Sequence, residues 1–183
     1  MSFFKAILKK TSSINYLSFL FIISHSILLL MITYTFPIIN NQINTKAFDL
    51  QSFGYSFSQA KTIVNNLNEY TTNLYVYPQL TFLDVLYPIL LALFLSSFLY
   101  RLKTITSSKI HFFLLIFPFI AMFCDYLENG CILLMVTKTI ELTKSFVYIS
   151  SSFTILKSSF TTITWISIMY YSYKWLRNKF FKK

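Results

Sequence analysis

Four apolar stretches, each long enough to cross a bilayer, constrain this chain more than any other feature: Tyr16 to Phe36, Leu80 to Tyr100, Ile110 to Val136, and about Phe153 to Tyr173. A helix needs roughly 20 predominantly apolar residues to traverse a hydrocarbon core about 30 Å thick. The third stretch exceeds that length, so it is expected to tilt or to project beyond the bilayer. The fourth is diluted by Lys157 and by several Ser and Thr. The 183 residues leave room for one domain. The expectation is therefore an all-α integral membrane four-helix bundle, a single transmembrane domain over residues 1–183, with spans at 16–36, 80–100, 110–136 and 153–173.

Composition agrees with the spans. Charged residues are 12% of the chain, about half the share in a soluble domain, and hydrophobic residues are 55%. The net charge of +10 would suggest nucleic acid in a soluble protein, but the positions of the charges point elsewhere. Lys5, Lys9 and Lys10 precede the first span. Arg101, Lys103 and Lys109 surround the link between the second and third. Lys174, Arg177, Lys179, Lys182 and Lys183 follow the fourth. These are 11 of the 16 basic residues, and none of the six acids lies among them. The two other connections mix Lys46, Lys61, Lys138 and Lys144 with Asp49, Glu69 and Glu141. Basic bias of this kind puts the termini and the short middle connection in the cytoplasm. The expected location is the plasma (inner) membrane of a bacterium, with the lipid bilayer as partner and no nucleic acid.

The basic N-terminus followed by an apolar run resembles a signal peptide, but the run is too long and no small-x-small site follows it, so it is read as an uncleaved anchor. Cys124 and Cys131 lie seven residues apart on one helix, about 10 Å, beyond disulfide reach. The link from Arg101 to Lys109 is short enough to make the second and third spans an antiparallel hairpin. The outer connection, 37–79, is predicted to hold a short extracytoplasmic amphipathic helix. Ser56 or Ser58 would cap it, and Ala60, Ile63, Val64 and Leu67 would form its apolar face. Pro88 is expected to kink the second span and to free a backbone carbonyl that neighbouring protein or water must satisfy.

The polar residues inside the spans carry the functional signal. Asp125, Glu128 and Asn129 stand at helical positions i, i+3 and i+4 and so share one face. Inserting a charge near a helix centre costs about 2.5–3.5 kcal/mol, so this face is expected to look inward. Asp84 lies about 6 Å below the start of the second span. Lys157 enters the fourth span at a similar depth, and His25 sits near the middle of the first. One such group from each helix would make a polar cluster in the outer half of the bundle. Trp165 is expected to pack within the fourth span and Trp175 to anchor at the inner headgroups. His111 falls at the inner end of the third span.

Asp-x-x-Glu-Asn in an apolar helix, with an Asp and a Tyr-Pro near the start of the preceding span, resembles uncharacterised four-span membrane proteins of bacteria and some lower eukaryotes. The matching residues are Asp125, Glu128, Asn129, Asp84, Tyr87 and Pro88, over roughly residues 50 to 135. The resemblance implies no activity.

The leading functional expectation is that the protein binds or passes a small cationic or polar ligand through an acidic pocket. Asp125 and Glu128 would be its acidic centre, Asn129 an orienting amide, Asp84 a second acid, Lys157 a counter-ion and His25 a further lining group. A homo-oligomer is among the expected partners in any reading; one alternative is a non-catalytic membrane scaffold or assembly subunit whose buried polar cluster is structural. A second is an intramembrane enzyme using the acids. No His-x-x-x-His or Cys-x-x-Cys accompanies them, so no catalytic residue, metal or cofactor is assigned.

Overall fold

A computed structural model describes residues 2–107 and 110–181; Lys109, Lys182 and Lys183 lie outside the described residues. These form eight α-helices with no strand among them: α1 (Ser2–Thr11), α2 (Ile14–Leu30), α3 (Phe36–Ile43), α4 (Phe57–Asn66), α5 (Glu69–Leu74), α6 (Asp84–Thr106), α7 (Phe112–Val136) and α8 (Lys144–Phe181). Three continuous helical stretches are long and apolar enough to cross a membrane: Ile14–Ile43, Glu69–Thr106 and Phe112–Val136. The fourth apolar stretch of the sequence lies within α8, a 38-residue helix that is more polar than the other three.

The basic segment at the N-terminus is a helix in its own right. Leu8 is fully buried, and the Phe4 ring meets Phe112 and Phe119 edge-on. Two polar links fasten the end of α1 to α6: the Thr11 and Ser97 hydroxyls are 2.6 Å apart, and Arg101 Nη1 donates to the Ser12 carbonyl at 3.0 Å.

The first span runs further than its apolar stretch predicts. Wide π-type turns at Met31–Thr35 lead into α3, which opens on Phe36-Pro37. A wide turn accommodates Pro37, whose ring and missing N–H disrupt regular α-helical bonding. The helix stops at Asn44, which takes a left-handed conformation (φ 55°), the usual way to end a helix without glycine.

The connection at 37–79 folds as its capping signals predict. Ser56 Oγ accepts from the Gln59 N–H while Gln59 Oε1 accepts from the Ser56 N–H, a reciprocal cap that starts α4. Ala60, Ile63, Val64 and Leu67 are buried, as expected for the inward face of the helix. A similar cap between Asn68 and Thr71 starts α5. Gly54 anchors this cap to α8. Its φ of +84° suits glycine, and a Cβ there would stand 2.5 Å from Ser151 Oγ. Next to it, the Tyr55 N–H donates to Ser151 Oγ at 2.8 Å and the Tyr55 and Ser150 hydroxyls meet at 2.6 Å.

The interruption in the second span falls at Tyr77, not at Pro88. Tyr77 is extended (φ −140°, ψ 120°) before the cis peptide bond to Pro78, within the π-type turns Tyr75–Leu83. A residue preceding proline is pushed out of the helical region, which accounts for the position. Pro88 lies inside α6, which continues through it.

Apolar side chains gather into two cores. One, at the capped end, joins Met31, Phe36, Ile39, Ile43, Phe48, Tyr75 and Ile132. The other joins Leu8, Leu17, Leu20, Phe94, Leu99, Leu115 and Ile168. The two cores remain separate, and one cavity touches both, with Met31 and Phe36 from the first and Leu95 from the second.

Candidate functional site: a buried carboxylate cluster beside a cavity

The Asp125-x-x-Glu128-Asn129 face of α7 looks inward, and its three polar residues do three different things. Glu128 is fully buried and Asp125 14% exposed. Lys157 of α8 reaches both: its Nζ is 2.5 Å from Asp125 Oδ1 and 2.6 Å from Glu128 Oε2. The first contact is an aligned hydrogen bond, whereas the second is a charge contact outside hydrogen-bond geometry. Thr154, one turn before Lys157, donates to Glu128 Oε1 at 2.5 Å. The lysine, expected to neutralise one acid, therefore bridges two.

Asn129 serves the backbone. With no N–H at Pro88, the Asp84 carbonyl lacks its intrahelical donor, and Asn129 Nδ2 approaches that oxygen at 3.4 Å. The Tyr126 hydroxyl donates to the next carbonyl, Val85, at 2.8 Å. The sequence expectation that neighbouring protein or water would serve the proline-freed carbonyl is met from α7. Asn129 Oδ1 is buried and finds no hydrogen-bond donor among the described residues.

Asp84 lies on the other flank. It is 4% exposed, and its Oδ2 accepts from Gln79 Nε2 at 2.8 Å. Gln79 Oε1 in turn accepts from the Thr35 hydroxyl, so the first span reaches the cluster through Thr35. His25 does not join it. The His25 Nδ1 lies 2.9 Å from the Phe21 carbonyl of its own helix, and its ring packs 4.1 Å from that of Phe21. Of the four helices expected to send an ionisable group inward, only α6, α7 and α8 do so.

A fifth ionisable residue, Asp49, comes from the connection between α3 and α4. Its Oδ2 accepts from the Tyr75 hydroxyl at 2.5 Å, and the Phe48 N–H donates to the same phenol oxygen at 3.0 Å. Burial raises its carboxyl above the usual range, against the pull of the Lys157 ammonium and the Tyr75 hydroxyl. Burial likewise raises the Tyr55 phenol, helped by the charge of Glu128. In the sequence Asp49 stands only among the mixed charges of the connections, with Lys46 and Lys61. The available signal was its flanks, Phe48 and Leu50, which turn this stretch inward.

Asp49, Asp84 and Asp125 share one cavity of about 330 Å³, with Lys157 on its wall. The rest of the lining is mostly apolar, including Met31, Phe36, Leu91, Leu95 and Pro118, while Ser52 and Thr162 are exposed to the outside. Glu128 is not part of this wall. Four carboxylates thus surround one ammonium, and only two of them touch it. Among the described residues no three His, Cys, Asp or Glu are grouped closely enough to hold a metal ion. Cys124 and Cys131 are free thiols. No family profile matches the chain, and no curated protein or solved structure shows significant similarity to it.

Proposed function

We propose that this is a four-span membrane protein that binds, or passes, a small cationic ligand in the pocket between its two apolar cores. The carrying observation is the imbalance of acidic and basic groups at the cavity: Asp49, Asp84 and Asp125 line it, and Lys157, the one ammonium on its wall among the described residues, is already held by Asp125 and Glu128. Uncompensated negative charge in a medium of low dielectric attracts a cation far more strongly than the same charge in water. The apolar wall opposite favours a ligand with an ammonium head and a small hydrocarbon body. Asp84 and Asp49 would contact the head. Asp125 would be shared between ligand and Lys157. Glu128 and Asn129 would act from behind, holding Lys157 and the Pro88 backbone.

The membrane part of the reading rests on the three long apolar helices and on the charge bias of the connections. The objection to a fourth span at 153–173 is Lys157, and its two carboxylate contacts remove much of the penalty of burying it. With cytoplasmic termini, Ser52 would face outward. Ser52→Cys should then react with a membrane-impermeant maleimide applied to intact cells, and labelling only after lysis would reverse the topology.

The ligand claim is tested on the purified protein in mild detergent with n-butylammonium and tetramethylammonium as probes. At least one should raise the melting temperature of the parent and leave Asp84→Asn unchanged. Equal shifts in parent and variant, or none in the parent, would reject the pocket. A second reading, that the cluster is internal glue of a scaffold subunit, is favoured by one observation: the closed Lys157–Asp125–Glu128 contact.

A further inference from the structure

A second concavity, of about 370 Å³, lies between α2 and α6 on the far side of the Phe94 layer from the outer cap. Leu17 and Phe94 form its buried floor; Ile14, Phe21 and Ile22 are exposed along its rim. From Ile14 to Ile22 it extends about 12 Å at the helical rise. Arg101 closes one end. Among the described residues one of its guanidinium donors has a partner, the Ser12 carbonyl, and the ion pairs all belong to Lys157. Lys9 and Lys10, both exposed, stand in the last turn of α1, three and two residues before Ser12. An apolar trough therefore ends at a cationic corner that has no carboxylate of its own.

We infer that this groove holds an anionic phospholipid, with an acyl chain along Leu17 and Phe94 and the headgroup phosphate at Arg101. The charge complementarity selects the headgroup: a guanidinium with spare N–H donors matches phosphate oxygens, and the neighbouring lysines add attraction. A zwitterionic lipid would satisfy the trough equally but would forgo part of the gain at Arg101. The inference rests on the membrane reading above and is independent of the acidic pocket, whose residues it does not involve.

The test is lipid retention by the full chain, extracted in mild detergent and exchanged against equal phosphatidylglycerol and phosphatidylcholine. Membrane association is established first by resistance of the pelleted protein to alkaline carbonate. Failure there would overturn the membrane reading itself, whatever the lipid result. For a membrane-resident parent, phosphatidylglycerol should be enriched about fivefold, which is about 1 kcal/mol. Arg101→Gln should abolish the enrichment. Ser18→Trp, which fills the trough from an exposed position and leaves every charge in place, should abolish retention of both lipids. Should Arg101→Gln fail to fold, because Arg101 also holds Ser12, the Ser18→Trp result decides alone. Equal retention of the two lipids by the parent, or unchanged retention in Ser18→Trp, overturns the inference. So does displacement of the lipid by soluble glycerol phosphate alone, which would reduce the site to a phosphate contact.

Discussion

Glu128 and Asp84 are buried carboxylates on packed helices, yet their surroundings differ in kind. Glu128 has a cation at one oxygen and a hydroxyl at the other, and it is wholly enclosed. Asp84 receives one amide hydrogen bond and otherwise faces a cavity. Both charges are expensive to remove from water, but only the first is compensated by a full positive charge within contact distance. The comparison separates two jobs that the sequence merges in one acidic cluster. The enclosed flank holds α7 against α8. The cavity flank carries a carboxyl with one amide hydrogen bond and no cation in contact.

The largest effect should come from breaking the enclosed flank. Lys157→Met leaves Asp125 and Glu128 facing each other without their cation, and removing one member of a buried ion group costs about 3–5 kcal/mol. Unfolding in detergent should show that loss, and Asp125→Asn with Glu128→Gln on the same background should restore most of it, since the apolar replacement is then no longer opposed by bare charges. A Lys157→Met protein as stable as the parent would mean the triad does not hold the helices together.

Next in size is the attachment of the Gly54 turn to α8. Gly54→Ala meets both an unfavourable φ and the Ser151 hydroxyl, and should destabilise by about 2 kcal/mol. Because the same turn brings Asp49 to the cavity wall, this variant should also lose affinity for an ammonium probe while Asp84 stays in place. Thermal unfolding and probe titration on one preparation separate the two effects. Unchanged probe affinity would show that the cap is not part of the pocket.

Much of this arrangement was legible because short-range rules govern it. The Ser56–Gln59 cap follows from neighbouring residues, and the common face of Asp125, Glu128 and Asn129 follows from helical spacing. Lys157 could be paired with those acids because an apolar helix gives an ammonium few other ways to be satisfied. What stayed hidden depends on long-range packing. Asp49 reads as one of several outer charges until the Gly54–Tyr55 contact folds its segment onto α8. Gln79 bonds to both Thr35 and Asp84, which lie 44 residues before it and five after, and periodicity does not register such a bridge. His25 was placed correctly along the helix and wrongly around it, because in a nearly all-apolar helix the pattern hardly distinguishes one face from another. The break at Tyr77 in place of Pro88 has a local cause, the restriction before Pro78, while Asn129 and Tyr126 serve the carbonyls next to Pro88 from outside the helix.

Sharpening the comparison calls for a change that neutralises the cavity flank without altering its shape. Asp84→Asn retains an acceptor for Gln79 and removes the charge. Its stability should lie within about 1 kcal/mol of the parent or above it, because an underpartnered buried charge contributes little to folding. Its affinity for n-butylammonium should fall at least tenfold, about 1.4 kcal/mol. A loss of several kcal/mol in stability would place Asp84 with Glu128 as a structural group and would remove the contrast between the flanks.

Asp49→Asn gives the smallest effect and the one with a distinctive pH signature. The Asp49 carboxyl is held above its ordinary value of 3.8, chiefly by burial. Between that value and the raised one, the folded chain binds more protons at this site than the unfolded chain, so stability falls as pH rises through the window. Below it both states are protonated and the group is neutral to stability; above it the whole penalty is present. Asparagine retains an acceptor for the Tyr75 hydroxyl and removes the titration. The stability of Asp49→Asn relative to the parent should therefore climb from pH 4 upward and then level off, with the Lys157 ammonium and the Tyr75 hydroxyl opposing the effect of burial. Denaturation across pH in detergent measures that difference directly. A difference that is flat with pH would mean Asp49 sees ordinary solvent. One that runs the other way would mean the Lys157 field outweighs burial, and Asp49 would then belong with the compensated carboxylates of the enclosed flank.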